Sequence, residues 1–242
     1  MSPPGVSIVV PVRDEAPNVG PLIEEIIAAM GETEPFEIVY VDDGSSDETP
    51  RRLAEARSRH AQLRVIRHHR SAGQSAAIAT GVRAARGDVI VTLDGDGQND
   101  PADIPALLRA LRAHPGVGLV TGWRVRRRDT WSKRVASRIA NAVRGWLLGD
   151  GVPDTGCGLK VLPRAVFLRL PYFDHMHRFL PALVRREGLE VRVVPVRHRP
   201  RAAGKSKYGN ARRALVGVVD LIGVMWLRRR RRCVPEAEEC SG

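Results

Sequence analysis

In Asp88-Val-Ile-Val-Thr-Leu-Asp94-Gly95-Asp96-Gly97-Gln98, a β-branched apolar run stops abruptly at two carboxylates separated by one glycine. A short continuous apolar run of this kind reads as a strand buried on both faces. If strand alternation continued through the acidic end, the Asp94 and Asp96 side chains would point the same way. Gly95 between them lets a ligand approach the backbone closely. Two adjacent carboxylates repel each other unless a cation lies between them, and oxygen ligands suit Mg²⁺ or Mn²⁺ bridging a diphosphate. A polar turn is the competing reading, because Asp and Gly are ordinary turn residues.

The same pattern recurs outward along the chain. Phe36–Val41 is a second apolar run, closed by Asp42-Asp43-Gly44-Ser45-Ser46-Asp47. Val6–Val10, Leu63–Ile66, Val117–Thr121 and Val191–Val196 read as further strands. Helical spacing lies between them: Leu22, Ile23, Ile26, Ile27 and Met30 before Gly31, a helix capped by Ser46 or Asp47 running to about His60, Ser75–Ala85, and a helix opened by Pro101 with Asp100 as its cap. Strands alternating with helices predict an α/β fold with a doubly wound, mainly parallel sheet, whose ligands bind at the carboxyl ends of the strands. Both acidic clusters fall on that edge. No P-loop signature is present, so nucleotide handling of the ATPase kind is unsupported.

Composition narrows the class. The chain has 242 residues, 43% hydrophobic, enough for a sizeable core, and a formal net charge of +12. Such a basic excess suits polyanionic partners, whether nucleic acid, anionic lipid or phosphorylated substrates. Three cysteines, Cys157, Cys233 and Cys240, lack metal-ligand spacing and fit a reducing compartment. Aromatic residues make up only 5%, too few for base-stacking platforms, and no helix-turn-helix, zinc or RRM signature accompanies the charge. A functional nucleic-acid partner is therefore not expected.

After residue 122 the texture changes. Arg124–Lys133 is densely basic, Val135–Leu148 reads as an amphipathic helix, and Gly151–Gly158 is a glycine-punctuated loop. Residues 212–232 combine an apolar helix with five consecutive arginines, Arg228–Arg232, ahead of a polar tail at 233–242. The run Ala214–Leu227, broken by Asp220, falls short of the roughly 20 apolar residues a spanning helix needs. Trp226 beside the arginines suits an amphipathic helix on an anionic leaflet, and a core helix with a solvated basic end is the alternative. With no secretory signal read at the start, the expected location is the cytoplasm, peripheral on the cytoplasmic face of the membrane.

Together, Ser7-Ile-Val-Val-Pro-Val-Arg-Asp-Glu15, Asp42-Asp43-Gly44-Ser45 and Asp94-Gly95-Asp96-Gly97-Gln98 resemble the family-2 glycosyltransferases of the GT-A fold. More narrowly, Asp154-Thr-Gly-Cys-Gly-Leu-Lys160, His175-Met-His-Arg-Phe-Leu-Pro181 and Gly204-Lys-Ser-Lys-Tyr208 resemble the dolichol-phosphate mannosyltransferase and bacterial polyprenyl-phosphate group. The likeness covers about residues 5–212, which makes 1–211 the expected transferase domain. It implies a nucleotide-diphosphate sugar donor and a polyprenyl phosphate acceptor. Pro11, Arg13, Glu15, Val41 and Asp43 would line the nucleoside pocket. Asp94, Asp96 and Gln98 would hold Mg²⁺ or Mn²⁺ against the diphosphate, with Gly95 close to the donor. Arg124, Arg201 and Lys207 would bind phosphate oxygens, and Lys133, Arg134 and Ser137 the acceptor phosphate. Arg13 departs from the group, which often has a stacking aromatic there, and the nucleobase, GDP or UDP, stays open.

An acceptor phosphate is already anionic at pH 7, so it can attack the anomeric carbon with inversion and no dedicated base. Positioning and electrostatic stabilisation then carry the reaction. Asp94 and Asp96 are the catalytic candidates. Asp154 is the third, read either as a base in a glycine-rich loop that could approach the donor sugar or as a turn cap. His175 and His177, two residues apart, do not share a helix face and are read as structural rather than metal-binding. Two further readings stand beside this one: a soluble transferase acting on a hydroxyl acceptor, and a degenerate binding module, which the intact Asp94, Asp96 and Gln98 disfavour.

Overall fold

A computed structural model of the protein describes residues 4–31, 34–125, 144–200 and 210–230, with backbone alone over 210–215. Seven strands form one sheet: β1 (Val6–Val12), β2 (Phe36–Asp42), β3 (Leu63–Arg67), β4 (Val89–Thr92), β5 (Val117–Arg124), β6 (Lys160–Pro163) and β7 (Glu190–Val196). Their order is β3-β2-β1-β4-β6-β5-β7. The strands β3, β2, β1 and β4 run parallel, as do β5 and β7, and β6 is antiparallel to both neighbours. All six expected strands are present. β6 was not expected: four residues ending in Pro163 carry too short a pattern, and only their insertion between β4 and β5 makes them a strand.

Alternation along the strands sorts the core into two layers. Ile8, Val10, Ile38, Tyr40 and Val91 face one side, where α1 (Ala16–Met30), α2 (Thr49–Arg59) and α4 (Ile104–Arg112) pack. Val9, Val39, Val41 and Ile90 face the other, under α3 (Gln74–Ala84), α5 (Arg164–Arg169), α6 (Leu180–Arg186) and α7 (Asn210–Arg229). Both faces are covered, which is why these strands read as unbroken apolar runs. At the amino ends of the strands, buried Glu37 accepts from the Ser7 hydroxyl at 2.7 Å, Arg64 at 2.7 Å and the Arg86 N–H at 2.6 Å. Burial alone would raise its pKa, but these donors hold it below the ordinary value. Gly31 ends α1 with φ 51°, and the Asp100 carboxylate accepts from Ala102 N–H, as expected; α2 instead starts after Glu48, with neither Ser46 nor Asp47 as its cap residue, although Asp47 accepts from Thr49 N–H at 2.9 Å.

Each reading of the C-terminal helix takes one face of α7. Val224 is fully buried, and Leu221, Met225 and Leu227 pack against the second layer. Val218, Val219, Ile222 and Trp226 stay 53–63% exposed. Burying a large apolar side chain is worth about 1.5–3 kcal/mol, so a stripe of four left in water is a costly surface. Arg230 lies 5.8 Å from the Trp226 ring, extending that stripe into a basic end. Among the described residues no helix is long and apolar enough to cross a membrane.

Candidate active site

β4 ends at Thr92, and Asp94 and Asp96 lie in the loop and turn that follow. Strand alternation therefore does not set their directions. The turn does: Asp96 Oδ1 accepts from Gln98 N–H at 3.1 Å, and Gly97 takes φ +72°, a conformation that favours glycine. The two carboxylates still interact. Burial, then repulsion from Asp96, pushes the Asp94 pKa up to about 6, against the pull of Lys160, Arg124 and a hydrogen bond from Gln74. That bond, Gln74 Nε2 to Asp94 Oδ1 at 2.7 Å, comes from the first turn of α3. Gly158 packs directly against the same carboxylate, where any Cβ would overlap it. Its carbonyl accepts from the Thr92 hydroxyl at 2.7 Å, so β4 and the glycine loop are locked together below Asp94.

Cations sit behind the acidic pair. Lys160, the first residue of β6, pairs with Thr92 on one side and Thr121 on the other. Its ammonium is buried and bonds the Cys157 carbonyl. Burial lowers its pKa, and the nearby Cys157, Asp94 and Asp154 offset that in part. Arg124, at the end of β5, grips Asp154 with both forks, Nε to Oδ2 at 2.7 Å and Nη2 to Oδ1 at 2.9 Å. Asp154 thus serves as the counter-ion that orients Arg124. With both oxygens engaged, the carboxylate is poorly placed to take a proton from a substrate. Arg144, which the sequence reading missed, pins the same loop: it bonds Asp150 at 3.0 Å, the Val152 carbonyl at 2.7 Å and the Thr155 hydroxyl.

The carboxyl ends of β1 and β2 form the opposite wall. Pro11 pairs with Val41 in the ladder, and both are buried. The Asp43 carboxylate accepts from the Ser71 hydroxyl at 2.7 Å, Ala72 N–H at 2.8 Å and Gly73 N–H at 2.9 Å, with His68 Nδ1 at 2.7 Å. Burial alone would raise its pKa, and these partners hold it below the usual range. Its main visible task is to fold the 71–73 loop over the sheet edge. Exposed Arg13 reaches the same loop through Ser71 at 2.8 Å, and Glu15 accepts from Asn18 at 2.6 Å.

The chain leaving β7 returns to the acidic turn. Asn99 and His198 form an isolated antiparallel bridge, and Arg199 N–H donates to the Gln98 carbonyl at 2.9 Å. Arg199 also binds Asp100 at 2.8 Å and Glu25 at 2.8 Å, while Arg197 binds Asp100 and Asp103. Beside this clamp lies a groove of about 580 Å³, lined by Asp100, Asp103, Val125 and residues 195–199. Arg201, Lys207, Lys133, Arg134, Ser137 and most of the expected 135–148 helix lie outside the described residues. His175 and His177 lie at a 3₁₀ turn, not in a strand; His175 bonds Asp220 and His177 bonds Ser75.

Asp94 and Asp96 fit a divalent cation of the Mg²⁺ or Mn²⁺ kind. Their mutual repulsion is what such a charge relieves. Among the described residues no three His, Cys, Asp or Glu side chains form a cage, and these cations typically take one or two carboxylates plus water and substrate phosphates.

Two outcomes follow from this geometry. Cation and proton compete for Asp94, whose pKa is about 6. Mn²⁺-dependent binding of a nucleotide sugar should be level above that pH and weaken up to about tenfold per unit below it. A titration from about pH 5 to about pH 8 checks this, and a flat profile contradicts it. Gly158→Ala should displace the Asp94 carboxylate and weaken that binding by about tenfold or more, with the circular-dichroism spectrum kept.

Comparison with known proteins agrees with the geometry. Residues 7–176 match the family described as Glycosyl transferase family 2. The chain is 38% identical over 232 residues to dodecaprenyl-phosphate galacturonate synthase of Rhizobium johnstonii, covering 93% of this chain and 67% of that protein. It is 36% identical over 208 residues to undecaprenyl-phosphate 4-deoxy-4-formamido-L-arabinose transferase of Edwardsiella ictaluri, covering 84% and 63%. The chain thus spans about two thirds of the length of these relatives. Its fold resembles glucosyl-3-phosphoglycerate synthase from Mycobacterium tuberculosis, solved with Mn²⁺, UDP and glucosyl-3-phosphoglycerate, with a TM-score of 0.70, 19% identity, and 93% and 80% of the two chains covered. On the family match and the identity to these relatives, the chain belongs to glycosyl transferase family 2, with its acidic turn at the carboxyl edge of a GT-A sheet.

Proposed function

We propose that the protein transfers a sugar from a nucleoside-diphosphate sugar to the phosphate of a polyprenyl phosphate, inverting the anomeric centre. The observation that carries this reading is the pairing of Asp154 with Arg124, beside an acidic turn backed by Lys160. Asp154 is engaged by Arg124, and burial with nearby cations pushes the His177 pKa well below its ordinary value and makes the ring a weak base, so neither suits abstraction of a hydroxyl proton. An acceptor that arrives as an anion needs no such group. Its phosphate oxygen forms the new C–O bond as the bond from the anomeric carbon to the diphosphate breaks, and the nucleoside diphosphate departs.

Roles then follow for the protein's own residues. Pro11, Arg13, Glu15 and Val41 line the nucleoside side, with Asp43 holding the 71–73 loop as its rim. Asp94 and Asp96, with Gln98 beside them, hold the divalent cation, which when bound neutralises charge on the departing diphosphate. Arg124, Arg201 and Lys207 take phosphate oxygens of the donor; Lys133, Arg134 and Ser137 take the acceptor phosphate. Residues 1–211 carry the chemistry. The exposed stripe of α7, Val218, Val219, Ile222 and Trp226, with Arg229 and Arg230, rests on the anionic cytoplasmic face of the membrane, where the lipid acceptor lies.

Purified protein incubated with Mg²⁺, a short polyprenyl phosphate and a panel of labelled nucleotide sugars tests the reading. Label should reach the lipid from one donor, and Asp96→Ala should lower the rate by more than about 100-fold. Nucleotide binding with no labelled lipid from any donor would contradict the lipid acceptor. Label transfer undiminished in Asp96→Ala would contradict the role of the acidic turn.

A further inference from the structure

The first turn of α3 is held from three sides. Asp43 binds the amides of Ala72 and Gly73 before it, and Gln74 reaches forward to Asp94 at 2.7 Å. The third hold comes from far along the chain. Ser75, 2% exposed, lies with its hydroxyl 2.7 Å from His177 Nδ1, a contact spanning 102 residues. The His177 backbone N–H donates to the same hydroxyl oxygen at 3.4 Å. The Ser75 hydroxyl and His177 Nδ1 share one further hydrogen bond, whose donor is set by the ring tautomer. Burial, with Lys160, Arg178 and His175 nearby, depresses the His177 pKa and keeps the ring neutral and able to accept.

The His177 turn is itself anchored. His175 takes a left-handed backbone, φ 62°, unusual for a residue with a side chain, and its ring bonds Asp220 of α7 at 3.0 Å. The turn at 175–178 therefore stands between α7 and the N-terminus of α3. Ser75 and Gln74 are adjacent on one helical turn, so a shift of the Ser75 peg re-aims the Gln74 amide.

We infer that His177 is a positioning residue of the site: through Ser75 it fixes the first turn of α3 so that Gln74 meets Asp94 and presents that carboxylate to the cation. This rests on the transferase reading and assigns a task to a histidine that the reaction itself leaves unused. Groups that orient a metal-binding side chain in this way typically change affinity by about 10–100-fold when removed.

A double-mutant cycle tests it, with calorimetric binding of UDP and of GDP in the presence of Mn²⁺ as the readout. His177→Ala should weaken binding about tenfold. His177→Asn, whose side-chain amide can replace Nδ1 in the bond to Ser75, should recover most of the loss. In a Gln74→Ala background, His177→Ala should cost little more, because the route through Gln74 is already gone. Should His177→Ala fail to fold, Ser75→Ala removes the same bond from the other side and enters the cycle in its place. Additive losses would overturn the inference, as would wild-type binding in the single variant or an Asn variant no better than Ala. Wild-type protein that binds neither nucleotide would sink the transferase reading and this inference with it. Wild-type binding with an additive cycle sinks the inference alone.

Discussion

Two carboxylates brought close at the half-buried edge of a sheet repel, and neither is neutralised by a direct ion pair of its own among the described residues. Asp94 and Asp96 are in that position, and the Asp94 pKa of about 6 registers the cost. Lys160 and Arg124 lower that cost but do not remove it: Lys160 bonds a carbonyl, and Arg124 is committed to Asp154. A site left with surplus negative charge facing outward and positive charge behind is prepared for a divalent cation that carries its own anionic ligand, such as a diphosphate.

The surrounding architecture serves this arrangement. Inserting β6 antiparallel between β4 and β5 brings the glycine loop under Asp94, and Gly158 is the residue that permits the contact. Asp43 uses four partners to hold the 71–73 loop, which in turn starts α3 and aims Gln74. Surface ion pairs such as Arg51–Glu55 are screened by solvent and could be lost without consequence for the site. The buried bonds of Asp43, Arg144 and Ser75 are different. Removing one partner strands a desolvated group, at about 1–3 kcal/mol, and moves a loop as well.

Much of this was legible in the residues. Parallel strands buried on both faces announce themselves as unbroken apolar runs, and two such runs closing on aspartates mark the functional edge. Less was legible where the signal is not local. β6 has four residues and no alternation of its own. The bonds from Gln74 to Asp94 and from Ser75 to His177 join positions 20 and 102 residues apart, with no spacing rule to suggest them. Asp154 could be read as a base or a turn cap because its partner, Arg124, lies 30 residues earlier, at the end of β5. Alternation failed at Asp94 and Asp96 for a simple reason: the strand had already ended.

The account stands on the acidic turn holding a cation against a diphosphate. Crystals grown with Mn²⁺ and a nucleoside diphosphate, measured at the manganese absorption edge, test this directly. The prediction is one anomalous peak within about 2.5 Å of carboxylate oxygens of Asp94 or Asp96 and of the diphosphate. A nucleotide bound at the sheet edge with manganese elsewhere, or with no manganese peak, would contradict it.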